Sequence, residues 1–226
     1  MPMSTMSCGY SGPRELNLSV VRNPNTTVYW DAVYRTEMGK LRIDADRLAL
    51  VEKCIPDGAK VLDVGCGTGE LGRWLAYARP LGQEYTGIDF SSVALECAEE
   101  AKSRQRFVLG DAETLAGVPD DSYDVVVCME TLEHLSEDTR SVENMRRVCC
   151  DDGLLIITVP HRDRNKSLEH VREYTAADVF RLIQGVGELV RMESVGQGCE
   201  WESLFVIVRV KKEGQHGSDG DAHGSR

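Results

Sequence analysis

The sequence contains no run of about 18 apolar residues, the length that a membrane-spanning helix requires. Its beginning lacks the basic and then apolar stretch that is typical of a secretory signal peptide. Its eight cysteines include no Cys-x-x-Cys pair, and Cys54, Cys97 and Cys128 lie within apolar patterns. These absences predict a cytoplasmic protein with no membrane span and with reduced core cysteines, and they argue against a disulfide framework or a zinc site.

Basic residues are also in short supply. The 226 residues include 26 Lys and Arg against 37 Asp and Glu, which gives a formal net charge of −11. Binding to a nucleic-acid duplex depends on broad basic surfaces, so we expect no duplex partner. With 42% hydrophobic and 28% charged residues, the composition is that of a globular protein with a substantial core.

The most informative stretch is Lys60–Leu75, which reads KVLDVGCGTGELGRWL. A short apolar run is followed by Gly65, Gly67 and Gly69, and then by apolar residues at helical spacing. This pattern predicts a strand, a tight glycine loop and a helix, as in the first βα turn of a doubly wound sheet. Asp63 before the loop and Glu70 after it disfavour a pyrophosphate ligand but suit one that carries an ammonium group and ribose hydroxyls.

The rest of the chain alternates between strand and helix patterns. Tyr123–Cys128 and Leu154–Val159 are continuous apolar runs, as expected for parallel strands covered on both faces. Glu188–Val195 and Trp201–Lys211 are two final β-runs. Helices are predicted for residues 41–54, 92–103, 138–150 and 174–183, with turns at 56–58 and 151–153.

The motif VLDVGCGTG, an acidic residue at the end of the second strand and the exit CMETLEH of the fourth strand together resemble the class I S-adenosylmethionine (SAM) methyltransferases. The resemblance implies an α/β, Rossmann-like, doubly wound sheet of seven strands, mainly parallel, with an antiparallel strand at the C-terminal end. It also implies SAM as cofactor. The implied cofactor-binding residues are Asp63, Gly65, Cys66, Gly67, Asp89, Phe90, Asp111, Ala112 and Met129.

Two of these residues have specific implied roles. Asp89 corresponds to the carboxylate that accepts hydrogen bonds from the ribose hydroxyls, and Asp111 to the one that accepts the adenine amino group. A helix N-cap for Asp89 and a surface turn for Asp111 are the structural alternatives. The predicted domain covers residues 26–212, between a flexible arm (1–25) and a disordered tail (213–226). The aromatic segment Tyr29–Tyr34 is interpreted as a helix that packs on the sheet or as a lid over the cofactor.

Methyl acceptors bind beyond the carboxyl ends of the strands in such sheets. The segment after the fourth strand holds Glu130, Glu133 and His134, and the one after the fifth strand holds His170. These four residues resemble the metal site of small-RNA 3′-terminal 2′-O-methyltransferases, which implies Mg²⁺ or Mn²⁺. Ubiquinone-type O-methyltransferases share the Glu-x-Leu-Glu-His pattern, and there the alternative is His134 as general base, oriented by Glu133. A third interpretation is that these residues only cap the start of a helix and form hydrogen bonds.

The segment after the fifth strand is locally basic between His161 and Arg172, which favours an anionic acceptor unless it is only a solvated loop. The predicted function is therefore SAM-dependent methylation of a hydroxyl group, and in second place an amine, on a small molecule. The alternatives are a metal-dependent methyltransferase of RNA 3′ ends and a SAM-binding sensor or partner subunit without turnover. The sequence indicates neither the acceptor nor the oligomeric state.

Overall fold

The computed structural model describes residues 26–37, 43–79, 84–100, 105–161, 169–196 and 202–212. The predicted arm (1–25), the predicted tail (213–226) and most of the basic segment (162–168) lie outside these ranges. The helices are α1 (Thr27–Glu37), α2 (Ala45–Cys54), α3 (Glu70–Ala78), α4 (Ser92–Glu100), α5 (Asp138–Val148) and α6 (Ala176–Leu182). The strands are β1 (Val61–Val64), β2 (Tyr85–Asp89), β3 (Arg106–Leu109), β4 (Tyr123–Met129), β5 (Cys149–Pro160), β6 (Gly187–Val195) and β7 (Ser203–Val210).

The seven strands form one sheet in the order β3-β2-β1-β4-β5-β7-β6. All neighbours from β3 to β5 pair in parallel, whereas β7 is antiparallel to both β5 and β6. The predicted fold class is therefore confirmed, including the antiparallel strand near the C-terminal end. The last two strands do not join the sheet in sequence order: β7 lies between β5 and β6, and β6 forms the edge of the sheet.

Helices cover both faces of the sheet, which explains why its central strands are continuous apolar runs. On one face, α2 and α3 contribute Leu48, Val51, Leu71 and Leu75 to the core. On the other face, α5 and α6 bury Val142, Met145, Val148, Val179 and Ile183. The strand order reverses between β1 and β4, so the crevice beyond their carboxyl ends is where such a sheet binds its ligand.

Two element boundaries differ from the sequence prediction. Helix α5 ends at Val148, and the predicted turn at 151–153 lies inside β5 as an irregularity of the β4–β5 pairing. There Asp152 adopts a φ of +65°, and Lys211, directly after β7, donates to its carboxylate at 2.7 Å. Cys149 and Leu154 on either side of this turn-like sequence both pair with β4, so it lies within the strand as an unpaired irregularity. Helix α2 begins at Ala45 because the Asp44 carboxylate caps it by accepting the Arg47 N–H.

None of the helices in these ranges is long and apolar enough to cross a bilayer. The described cysteines, at positions 54, 66, 97, 128, 149 and 150, are free thiols.

Candidate functional site

The glycine loop between β1 and α3 is bent by three residues with positive φ: Gly65 (+75°), Gly67 (+51°) and Gly69 (+76°). The N–H groups of Gly65 and Cys66 both donate to the carbonyl of Ile88, at 2.8 and 3.0 Å, which ties the loop to the end of β2. A Cβ on Gly65 would lie 2.3 Å from the Thr131 hydroxyl oxygen. The backbone conformation and this close approach together require glycine here.

Asp89, the last residue of β2, lies directly beside this loop. Its carboxylate accepts the N–H of Gly67 and the N–H of Ser91, each at 2.9 Å. Burial raises its pKa, although these backbone donors act in the opposite direction. Ser91 caps α4 by accepting the Ala94 N–H, so Asp89 is not needed as the cap and is available to a ligand.

Asp63 lies deeper, in β1, and accepts a hydrogen bond of 2.6 Å from the Tyr85 hydroxyl. Burial raises the pKa of Asp63 to about 7, the Tyr85 hydrogen bond lowers it, and the nearby charge of Asp89 raises it. Two buried carboxylates beneath a glycine loop form a site that favours a cationic ligand group.

The remaining predicted cofactor residues surround this centre. Asp111 is exposed and accepts the Glu113 N–H at 2.7 Å, while the Gly110 N–H donates to the Asp89 carbonyl and so holds this turn beside β2. Phe90 packs against α1. The Cys66 thiol packs towards Gly87, which leaves mainly its backbone for a ligand. Ala112 follows in the same turn, and Met129 is buried at the end of β4.

Helix α1 covers these carboxyl ends instead of packing on a sheet face. A Cβ on Gly67 would lie 2.9 Å from the Tyr34 hydroxyl, so this side chain lies directly over the glycine loop. Trp30 contacts the ring of His134 with 4.7 Å between centroids, and the Tyr29 hydroxyl donates to the Glu169 carboxylate at 2.9 Å. This placement favours the lid over the alternative of a helix on the sheet.

Glu133, His134 and His170 come together beyond β4. One potential ligand atom from each lies within 4.8 Å of the others. The Glu133 side chain is buried, and its Oε2 has no hydrogen-bond partner within the described part of the chain. Burial raises the pKa of Glu133 well above its ordinary value, and the Glu130 charge adds to this effect.

His134 has a defined tautomer. Its Nδ1 lies 3.1 Å from the Glu169 carbonyl oxygen, which can only accept, so Nδ1 carries the proton and Nε2 has the free lone pair. Burial lowers the pKa of His134 to about 4, so the ring is neutral at neutral pH. Nε2 lies 3.7 Å from the Glu133 carboxyl group, which is too long for a hydrogen bond.

Of the four residues predicted to hold a metal, Glu130 lies outside this group. Its carboxylate forms an ion pair of 3.1 Å with Arg47 of α2, and its backbone has a φ of +48°. Arg47 is itself buried and also donates to Ser203 at 3.0 Å. The exit of β4 turns so sharply that Glu130 and Glu133 point to different neighbours.

Sequence reasoning missed Arg47 and Tyr85. Arg47 lies on the apolar side of α2, next to Leu48, and a cation within an apolar helix face is the signal that could have found it. Tyr85 begins β2 and has no sequence feature that links it to Asp63. Arg172, in the segment predicted to bind an anion, instead pairs with Asp138 and donates to the Ser136 carbonyl.

Comparison with known proteins shows which proteins this chain resembles. Residues 62–157 match the family model described as a methyltransferase domain. An uncharacterised methyltransferase of Bacillus subtilis, YcgJ, is 30% identical over 166 residues, or 65% of this chain and 63% of that protein. The ubiquinone biosynthesis O-methyltransferase of Alkalilimnicola ehrlichii is 32% identical over 123 residues, or 52% of this chain and 49% of that protein.

The fold comparison agrees. A crystal structure of a putative methyltransferase from Bacillus halodurans superposes with a TM-score of 0.63 at 17% identity, covering 75% of this chain and 99% of that one. The match over residues 62–157, the sheet order and the glycine loop support a class I SAM-dependent methyltransferase. It spans about half to just under two thirds of the length of these curated relatives.

Proposed function

We propose that this chain transfers the methyl group of SAM to a hydroxyl group of a small-molecule acceptor, with His134 as the general base. The observation that carries this proposal is the state of His134: a neutral imidazole, protonated on Nδ1, with the lone pair of Nε2 free. The name of the O-methyltransferase relative adds support for a hydroxyl acceptor.

The cofactor residues fit this role. The glycine loop is packed too closely for a Cβ at Gly65 or Gly67, and the Asp89 carboxylate beside it suits the ribose hydroxyls. Asp63 supplies a negative charge for the ammonium group, and Asp111 and Ala112 in the exposed turn suit adenine. SAM supplies a methyl group already activated by a sulfonium, so the protein needs mainly to align donor and acceptor.

His134 removes the proton that a hydroxyl acceptor must lose. The acceptor O–H hydrogen-bonds to Nε2, and the proton passes to Nε2 as the oxygen takes the methyl group. The resulting imidazolium keeps its Nδ1–H bond to the Glu169 carbonyl. Because the free imidazole is a weak base, acidic hydroxyls such as those of phenols and catechols are the best matched acceptors.

A panel of phenols, catechols, carboxylates and amines incubated with SAM tests the proposal through the release of S-adenosylhomocysteine. We expect turnover with hydroxyl acceptors and a loss of about 100-fold or more in kcat for His134→Gln, with unchanged binding of S-adenosylhomocysteine. Turnover with amines alone would contradict the hydroxyl assignment. Cofactor binding without turnover on any acceptor, together with an intact cellular role of His134→Ala, would favour the sensor alternative.

A second candidate is a metal-dependent reaction on vicinal hydroxyls, such as those of an RNA 3′ end. It is favoured by the convergence of Glu133, His134 and His170 and by the unpartnered Oε2 of Glu133. Two imidazoles and one carboxylate suit Mn²⁺ better than Mg²⁺, which prefers oxygen ligands. These three residues would hold the ion, which would acidify a bound hydroxyl; Glu130 would not contribute.

A further inference from the structure

We propose that Tyr85 is a positioning residue for the cofactor: its hydroxyl group orients the Asp63 carboxylate and favours the charged form that an ammonium group requires. This inference rests on the cofactor site of the proposed function. It assigns a role to a residue that lies beneath the glycine loop and that is too deep to touch the ligand itself.

The hydrogen bond follows from the pairing of β1 with β2. Asp63 lies opposite Gly87, and Tyr85 is two residues earlier on β2, so both side chains project from the same face of the sheet. The two side chains are 3% exposed each, and their oxygens are 2.6 Å apart. A distance this short is typical of an O–H donor to a carboxylate.

The Tyr85 ring is held firmly in place. Phe107 of β3 packs against it nearly edge-on, with 5.9 Å between ring centroids. Helix α3 lies so close that a Cβ on Gly72 would be 2.9 Å from Tyr85 Cε1. Because the ring cannot swing away, the hydroxyl is directed at Asp63 before any ligand arrives, which is the preorganisation that tight binding needs.

The electrostatic surroundings make this hydrogen bond important. Titratable groups face this pair from the elements packed around it. Asp89 of β2 acts on Asp63, and Cys66 of the loop and Arg73 of α3 act on Tyr85. The Asp63 charge acts in turn on Tyr34 of α1, Cys66 and Cys128 of β4. Burial and Asp89 both raise the pKa of Asp63, whereas the Tyr85 hydrogen bond lowers it. Without that donor, a larger fraction of Asp63 would be protonated at neutral pH.

The test is calorimetric titration of S-adenosylhomocysteine into the full chain between about pH 6 and pH 8.5. This ligand carries the same ammonium group and requires no acceptor. We expect wild-type affinity to fall as the pH drops through about 7. If the loss of the hydrogen bond raises the pKa of Asp63 by about one unit, Tyr85→Phe should weaken binding about fivefold at pH 7, with the difference shrinking at higher pH.

Tyr123→Phe is the matched control, because it removes a hydroxyl from a buried tyrosine that packs beside Lys60 and not beside Asp63. It should bind like the wild type at every pH. An equal loss of affinity for Tyr85→Phe at all pH values would overturn the proposal, since it would indicate a packing defect alone. So would unchanged affinity.

Asp63→Asn provides a second measurement that does not depend on the folding of Tyr85→Phe. It should weaken binding and abolish its dependence on pH near 7, and adding Tyr85→Phe to it should cause little further loss. A pH dependence that persists in Asp63→Asn would overturn the proposal. Failure of the proposed function has a different result: normal ligand binding with the expected effect of Tyr85→Phe, but no methylation of any hydroxyl.

Discussion

The indole ring of Trp30 meets the imidazole ring of His134 nearly edge-on, with 4.7 Å between the ring centroids and 75° between the planes. Trp30 belongs to α1 and His134 to the turn after β4, so this contact joins the beginning of the described chain to the proposed general base. It removes the imidazole from water. That burial is the main reason why the pKa of His134 falls to about 4.

The buried imidazole should make folding sensitive to acid. Between pH 6.5 and about 4 the unfolded chain binds a proton at His134 while the folded protein does not. The free energy of unfolding of the wild type therefore falls as the pH falls through this range. His134→Gln removes this effect. The free energy of unfolding is measured by urea denaturation for both proteins at pH 7 and at pH 4.5. As the pH falls, the difference between variant and wild type should shift by about 2 kcal/mol in favour of the variant. Trp30→Ala, which exposes the His134 ring, should show a smaller shift of the same sign. The prediction would be contradicted if His134→Gln differed from the wild type by the same free energy at both pH values.

Gly65 and Gly58 form a natural pair for testing the glycine loop. Both have a φ near +75°, but a Cβ would meet Thr131 at Gly65 and nothing within 4 Å at Gly58. Gly58→Ala should therefore cost only backbone strain, about 1 kcal/mol. Gly65→Ala should cost about 2 kcal/mol more, because Thr131 must move. Thermal unfolding measures both. If the two variants have equal stabilities, the close contact with Thr131 is not significant.

Asp89 should be the residue on which cofactor affinity depends most. Asp89→Ala removes the partner of two backbone N–H groups and of the expected ribose hydroxyls, so binding of S-adenosylhomocysteine should weaken about 100-fold. Asp120→Ala, an exposed carboxylate paired with Arg147, is the control and should bind normally. Wild-type affinity in Asp89→Ala, measured by calorimetry, would exclude the ribose role.

Titration with Mn²⁺ tests the metal-dependent candidate function. If the site holds an ion, Mn²⁺ should bind stoichiometrically to the protein saturated with S-adenosylhomocysteine, and Glu133→Gln and His170→Ala should each abolish binding. Glu130→Gln should not, because Glu130 is paired with Arg47 outside this group. No binding by the wild type would exclude the metal-dependent candidate and leave His134 as the base.

Much of the fold could be predicted because its determinants are local. Apolar runs, the three glycines and the Thr175–Asp178 capping box each act within a few residues, and the structure has a strand, a bend or a helix start at each. The turn predicted at 151–153 is present as an irregularity within β5, where the pairing with β4 skips from Cys149 to Leu154 and Asp152 has a positive φ. The sequence did not predict that β5 begins before this turn, because that depends on the pairing of Cys149 with Tyr123 of β4.

The sequence by itself determined the glycine loop, the acidic end of β2 and the order of strands and helices, since periodicity and backbone preferences are written in neighbouring residues. Only the tertiary structure decided that Glu130 pairs with Arg47, 83 positions away by residue number, while Glu133 joins His134 and His170. It likewise decided that the Tyr85 hydroxyl donates a hydrogen bond to Asp63 and that Trp30 of α1 packs against His134. Such contacts depend on how elements distant in sequence pack together, and no local pattern specifies them.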